Sequence, residues 1–163
     1  MFNNSLGIDT NGWSYSTDIG TYGYNYLLRA AITEGGLGAV FPEEGIYVIA
    51  HTDRDEQLLS GVHKYLIHFD KGKIPPMGAF WAISMYNATT YMFVPNSINR
   101  YSLCSQKDKF MYNTDGSLDI YIQHEELVGK ESNWLPAPEE KYYLILRMSK
   151  PGPEILNGTY QIP

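Results

Sequence analysis

Tyr112-Asn113-Thr114-Asp115-Gly116-Ser117-Leu118-Asp119-Ile120-Tyr121-Ile122-Gln123 is the stretch whose pattern decides the fold. Asn113 to Gly116 reads as a hairpin turn, because Asp-Gly readily takes the positive φ angles that tight turns need. Beyond it the residues alternate. Leu118, Ile120 and Ile122 fall on one side of an extended chain, and Ser117, Asp119, Tyr121 and Gln123 on the other. A period of two marks a strand with one covered face and one polar face.

The same texture recurs on both sides. Tyr47–Asp53, Lys64–Asp70, Phe80–Tyr86, Thr90–Val94, Lys109–Tyr112 and Tyr142–Ser149 are predicted as further strands. Turn residues separate them, notably Asp53-Arg54-Asp55, Lys71-Gly72-Lys73 and Pro75-Pro76. Short strands at this spacing predict a mainly β fold, an antiparallel jelly-roll-like β-sandwich rather than a parallel α/β domain. Asn133 to Pro138 reads as a stiff loop before the last long strand.

One N-terminal helix is expected over Tyr22–Thr33, capped by Thr21 or Asp18 and ended by Gly35-Gly36. Tyr22, Tyr24, Tyr26, Leu27, Leu28, Ala30, Ala31 and Ile32 cover most of its circumference. Such a helix is expected to be packed on the sandwich. Residues 1–20, rich in Asn, Gly, Ser and Thr, read as an extended N-terminal arm. A single domain is expected to fill 21–163.

Composition narrows the function classes. The chain has 163 residues, which suits one domain. Its net charge is −6 and it shows no basic stripe, so a nucleic-acid partner is not expected. The longest apolar run, Tyr142–Leu146, is too short to cross a bilayer, so no membrane partner is expected. No secretory signal is visible at Met1–Ser5, which points to a cytoplasmic location. The single cysteine, Cys104, cannot form an internal disulfide. Sequons at Asn3, Asn87 and Asn157 read as chance without a leader. Fourteen tyrosines outnumber six phenylalanines and three tryptophans together. Tyr has an apolar body and a polar tip, which fits half-buried sheet surfaces, interfaces or sugar-like ligands.

Motifs for chemistry are sparse. His51, His63, His68 and His124 form no His-x-His pair, and there is no Cys-x-x-Cys, so no metal and no cofactor is expected. Gly-x-Ser-x-Gly is missing, and Cys104 has no His near it in sequence. Gly35-Gly36-Leu37-Gly38 follows the predicted helix instead of opening one, which is a helix end and not a phosphate loop.

Several segments, in order, resemble the family called domain of unknown function 1214. They are Tyr22-Gly23, Tyr26-Leu27-Leu28-Arg29-Ala30-Ala31, Gly36-Leu37-Gly38-Ala39, Ala79-Phe80-Trp81, Val94-Pro95-Asn96, and Ile98-Asn99-Arg100-Tyr101-Ser102. Asp115 to Gln123 and Asn133 to Pro138 continue the series. The resemblance implies a jelly-roll-like β-sandwich with a helix near its start. It also implies a place in the C-terminal half of a longer protein, after a domain of unknown function 1254. It implies no settled activity.

The arginines are the most informative polar residues. Arg29 lies on the predicted helix, Arg147 on a strand behind Leu144, Ile145 and Leu146, and Arg100 in a loop after Pro95, Asn96 and Asn99. A guanidinium in such surroundings needs carboxylate or carbonyl partners. Internal salt bridging is one reading and a convergent anion pocket is the other. If the polar strand faces meet, Asp119 pairs with Arg147 beside Tyr121. The candidate ligand-binding set is Arg29, Arg100, Arg147, Asp119, Tyr121 and Trp81. Catalytic residues are not assigned.

Three functions remain open. The first is a noncatalytic binding or interaction module for a carbohydrate-like or small acidic ligand. The second is an enzyme using Asp, Tyr or Arg in a sandwich cavity. The third is a structural subunit of a larger assembly, in which the Tyr-rich surface makes a homo-oligomer.

Overall fold

Leu118–Gln123 is a strand of the predicted bounds, and its alternation holds except that Ser117 and Gln123, expected on the polar face, are buried. Leu118, Ile120 and Ile122 are fully buried, while Asp119 and Tyr121 stay half-exposed. The computed structural model describes residues 7–35 and 38–163. Two sheets are built from β1 (Ile8–Thr10), β2 (Trp13–Tyr15), β3 (Gly45–Ala50), β4 (Tyr65–Phe69), β5 (Trp81–Asn87), β6 (Ser102–Cys104), β7 (Leu118–Gln123), β8 (Trp134–Pro136) and β9 (Tyr142–Ser149). Helix α1 (Tyr26–Gly35) lies between β2 and β3, and α2 (Pro153–Leu156) follows β9.

The larger sheet has six antiparallel strands in the order β1-β2-β3-β9-β5-β6. The smaller has three, β4-β7-β8. Its β7–β8 pair is parallel, with Tyr121 opposite Trp134. The inward residues of both sheets join one buried cluster. Ile46, Val48, Ile83, Leu103, Leu144 and Leu146 come from the larger sheet, and Ile67, Phe69, Leu118, Ile120, Ile122 and Leu135 from the smaller. Burial of each such side chain stabilises by roughly 1.5–3 kcal/mol.

Gly116 sits at φ 87° in the turn before β7, the conformation that Asp-Gly was read for. The turn is closed by Gly116 N–H donating to the Asn113 carbonyl at 2.9 Å.

Several expectations are corrected. Part of the predicted arm is a hairpin: β1 and β2 extend the larger sheet, and Trp13 and Tyr15 are buried in the main core. The hairpin is tied to the chain's end by Trp13 Nε1 donating to the Pro163 carbonyl at 3.1 Å. Asn11 Nδ2 donates to the Ile162 carbonyl at 2.8 Å. Residues 1–6 of the predicted arm, and Gly36 and Leu37 of the predicted helix end, lie outside the described residues.

The helix begins at Tyr26, not Tyr22, because Asn25 caps it: its Oδ1 accepts from Leu28 N–H at 3.1 Å. Thr21 and Asp18 are not its caps. Nor does α1 share the core of the sheets. Leu28 and Ile32, one turn apart, bury with Ile19 in a separate small cluster. Leu27 is 81% exposed, and Tyr26 and Ala30 face water. Tyr and Ala tolerate solvent, so an apolar circumference did not require burial.

Thr90–Val94 and Lys109–Tyr112 are not strands; each supplies a single bridge, Phe93 to Tyr86 and Tyr112 to Leu118. Trp134–Pro136, read as loop, is a strand held by β7. No helix among the described residues is long and apolar enough to cross a membrane.

Candidate functional site

Two polar constellations stand on the outward faces of the two sheets. The first lies on the smaller sheet, where His68 of β4 is opposite Asp119 of β7. Asp119 Oδ1 accepts from His68 Nδ1 at 2.5 Å. Its other oxygen accepts from Asn113 Nδ2 at 2.9 Å and from the Tyr121 hydroxyl at 3.3 Å. The second ring nitrogen of His68 is 3.4 Å from Asp70 Oδ1.

The hydrogen bond with Asp119 holds the His68 imidazole above its usual pKa. Burial pushes the Asp119 carboxyl up, but the bonds from His68 and Asn113 outweigh it and hold the group low. Both nitrogens of His68 face carboxylates, which favours the doubly protonated ring. Both oxygens of Asp119 are used. This network ties the Asn113–Gly116 hairpin turn to the sheet.

The second constellation lies on the larger sheet. Tyr47, Arg147, Ala82 and Cys104 form one cross-strand row. Ser14, Ile49, Ile145, Ser84 and Ser102 form the next. Tyr143 and Tyr86 are paired in the third row, which His51 and Phe93 extend by stacking. His51 to Tyr143, Tyr143 to Tyr86 and Tyr86 to Phe93 are separated by 5.0, 5.3 and 4.8 Å between ring centroids. The middle row is a floor of small and aliphatic side chains between two aromatic walls.

Arg147 is exposed, and its guanidinium lies 5.4 Å from the Tyr47 ring centre and 5.5 Å from that of Phe80. Cation–π attraction draws the group toward both rings. Among the described residues its N–H groups meet no carboxylate or carbonyl. Tyr47, Tyr86 and Tyr143 likewise have hydroxyls without a hydrogen-bond partner among the described residues. Burial raises the Tyr86 phenol above its usual pKa, and the neighbouring Tyr47 adds to this. Tyr143 is raised by burial, then by Tyr86 and Tyr91. These phenols therefore lie close enough to sense one another. Burial lowers the His51 pKa, which keeps the ring neutral at pH 7.

The candidate residues named from the sequence are dispersed. Asp119 and Tyr121 meet, but Arg147 belongs to the other sheet, so the expected Asp119–Arg147 pair does not form. Arg100 donates through Nη1 to the carbonyls of Glu131 and Trp134, the latter at 2.9 Å. It braces the edge of β8. Arg29 is exposed on α1, beside Tyr26, Ala30, Thr33 and Glu34. Trp81 is 2% exposed and stacks on Phe110 at 5.1 Å inside the core, out of reach of a surface ligand. The sequence reading missed His68, Tyr47, Phe80 and Tyr86. His68 was legible as an outward polar residue on a predicted strand. Tyr47 and Phe80 were not, since they approach Arg147 from distant parts of the chain. Among the described residues, no three His, Cys, Asp or Glu side chains group closely enough to hold a metal.

A family profile described as "Protein of unknown function (DUF1214)" matches residues 44–153. The chain belongs to the DUF1214 family. That match runs from the start of β3 to the start of α2 and so includes every row of the outer face except Ser14. The chain is also similar to the crystal structure of the VPA0106 protein from Vibrio parahaemolyticus, with a TM-score of 0.70 and 29% identity. The likeness covers 83% of this chain and 33% of that one, so this DUF1214 chain spans about a third of the length of the Vibrio protein. A structure of an uncharacterised protein from Burkholderia cenocepacia matches with a TM-score of 0.43 and 15% identity, over 69% of this chain and 26% of that one. Among curated proteins, none matches.

Proposed function

We propose that this DUF1214 domain is a noncatalytic binding module on a jelly-roll-like β-sandwich scaffold. Its ligand is a carbohydrate-like or small acidic molecule, held on the outer face of the six-stranded sheet. One observation carries the reading: the guanidinium of Arg147 lies within cation–π reach of both Tyr47 and Phe80 yet meets no anion among the described residues. An arginine with a free N–H fork suits a carboxylate, which it can grip with two parallel hydrogen bonds. Partnerless phenols beside it suit hydroxyl groups. The His68–Asp119 pair also holds Asn113 of the hairpin turn, which fits a structural role for that network.

The test is a calorimetric titration of wild type and Arg147→Ala with sodium acetate, glucose and sodium glucuronate. Binding of at least one compound, lost or weakened in the variant, supports the module. Heat for none of the three, or binding that the variant leaves unchanged, contradicts it.

A structural role in an assembly is the second reading. It is favoured by the exposure of Tyr24, Leu27, Tyr91 and Met92, large apolar side chains that a partner surface would cover. A solution mass of one chain at high concentration would count against self-assembly.

A further inference from the structure

The rows of the larger sheet's outer face carry unlike chemistry at neighbouring positions. Tyr47 and Arg147 are directly opposite on β3 and β9. Tyr86 and Tyr143 are paired four residues further along β9, roughly 13 Å from Arg147 at strand rise. Between them Ser84, Ile49 and Ile145 offer nothing taller than an aliphatic side chain. Tyr47 stands at one end of this floor, in the row of Arg147, and Tyr86 at the other, in the row of Tyr143.

Charge restricts the occupant. Of the residues in these rows, only Arg147 is charged at neutral pH, because burial keeps His51 uncharged. One guanidinium balances one negative charge. A dianion such as phosphate would leave a charge uncompensated over an aliphatic floor, in a protein whose net charge is already −6. The Tyr47 and Phe80 rings lie within cation–π reach of the guanidinium, whose N–H groups meet no other partner among the described residues. That N–H fork matches a planar carboxylate.

Hydroxyl chemistry restricts it further. A simple aliphatic carboxylate would fill the Arg147 end and leave the Tyr47 and Tyr86 hydroxyls facing a hydrocarbon chain. A neutral sugar would satisfy the phenols and leave the guanidinium unpaired. A phenol both donates and accepts, as a sugar hydroxyl does.

Resting on the binding reading above, we infer that the ligand class is the sugar acid, a polyhydroxylated monocarboxylate. Its carboxylate sits on the Arg147 fork and its hydroxyls sit between the Tyr47 and Tyr86 phenols. The aliphatic carbons of its ring lie on Ile49 and Ile145. Packing orders the two walls before the ligand arrives: Tyr47 and Phe80 lie within cation–π distance of Arg147 at one end, and the His51–Tyr143–Tyr86–Phe93 ladder forms the other. Little side-chain freedom is left to lose on binding.

Calorimetric titration with three probes, sodium D-glucuronate, D-glucose and sodium acetate, tests the class. Wild type is expected to bind glucuronate at least about tenfold tighter than either of the others, the effect of roughly one good charged or paired polar contact. Arg147→Ala is expected to bring glucuronate down to the level of glucose. Tyr47→Phe with Tyr86→Phe keeps both rings and removes only the hydroxyls, and is expected to bring glucuronate down to the level of acetate. Equal affinity for acetate and glucuronate overturns the sugar-acid class while leaving an anion-binding module standing. Equal affinity for glucose and glucuronate overturns it while leaving a sugar-binding module. Absence of binding by all three removes both the class and the module. A matched amide spectrum for each variant separates loss of binding from loss of fold.

Discussion

His68 and Asp119 face each other across β4 and β7 with 2.5 Å between Nδ1 and Oδ1, and the carboxylate can only accept that hydrogen bond. Because His68 is also flanked by Asp70, the pair is an ion pair whenever the imidazole is protonated. The raised His68 pKa stabilises the fold fully below the unfolded value of about 6.5 and loses that stabilisation as pH rises through the folded value. The depressed Asp119 pKa stabilises above the unfolded value of about 3.9 and loses that stabilisation as pH falls through the folded value. The difference in melting temperature between wild type and His68→Ala should therefore be largest between about pH 4 and pH 6.5 and shrink as the pH rises through the folded His68 value. Melts across that range check it; a constant difference would mean that the contact does not titrate.

Arg100 is a brace, and its loss should be read in stability. Arg100→Ala leaves the carbonyls of Glu131 and Trp134 without their donor. A cost of about 1–3 kcal/mol is expected in denaturant unfolding, with glucuronate affinity unchanged. Loss of affinity at full stability would place Arg100 in a ligand site instead.

Gly61 packs tightly against the backbone of Pro138. A Cβ built there would lie 1.6 Å from the Pro138 carbonyl oxygen. Gly61→Ala should destabilise by about 1–3 kcal/mol or more, because the strand-linking loop before β9 must shift. A variant that unfolds at the wild-type denaturant concentration would show that this loop yields freely.

Ala30→Asp should change stability by no more than about 0.5 kcal/mol, since Ala30 faces water on α1. Ile83→Ala, at a fully buried position on β5, should cost about 2–5 kcal/mol. Unfolding curves of the two variants together test where the core lies.

The long strands were legible because each carries a periodic signal along its own length. Leu118–Gln123 and Tyr142–Ser149 have the predicted bounds, with inward residues that alternate with half-exposed ones over much of each strand. The three-residue strands β1, β2, β6 and β8 are too short to show a period, and their pairing partners decide them. Helix α1 misled for a different reason. Its tyrosines and alanines say little about burial, and only Leu28 and Ile32 are covered.

The site was legible only by residue type. Arg147 and Asp119 were singled out as polar groups on strands, yet Tyr47, Phe80 and His68, which they meet, lie far off in sequence. Asp119 meets His68, 51 residues away, because β4 and β7 pair. Arg147 meets Tyr47 because β3 and β9 pair. Strand pairing is long-range information that a local pattern does not contain. The outward position of His68 on Lys64–Asp70 was the one available clue.

Arg147 carries the central claim, and its side-chain Nε–H signal in a nitrogen–proton correlation spectrum reports on it directly. Addition of sodium D-glucuronate should shift that signal together with the backbone amides of Ala82, Ser84 and Ile145, saturably, while those of His68 and Asp119 stay in place. If the Arg147 signal does not move, or if the shifts gather instead around His68 and Asp119, the outer face of the six-stranded sheet is not the binding site.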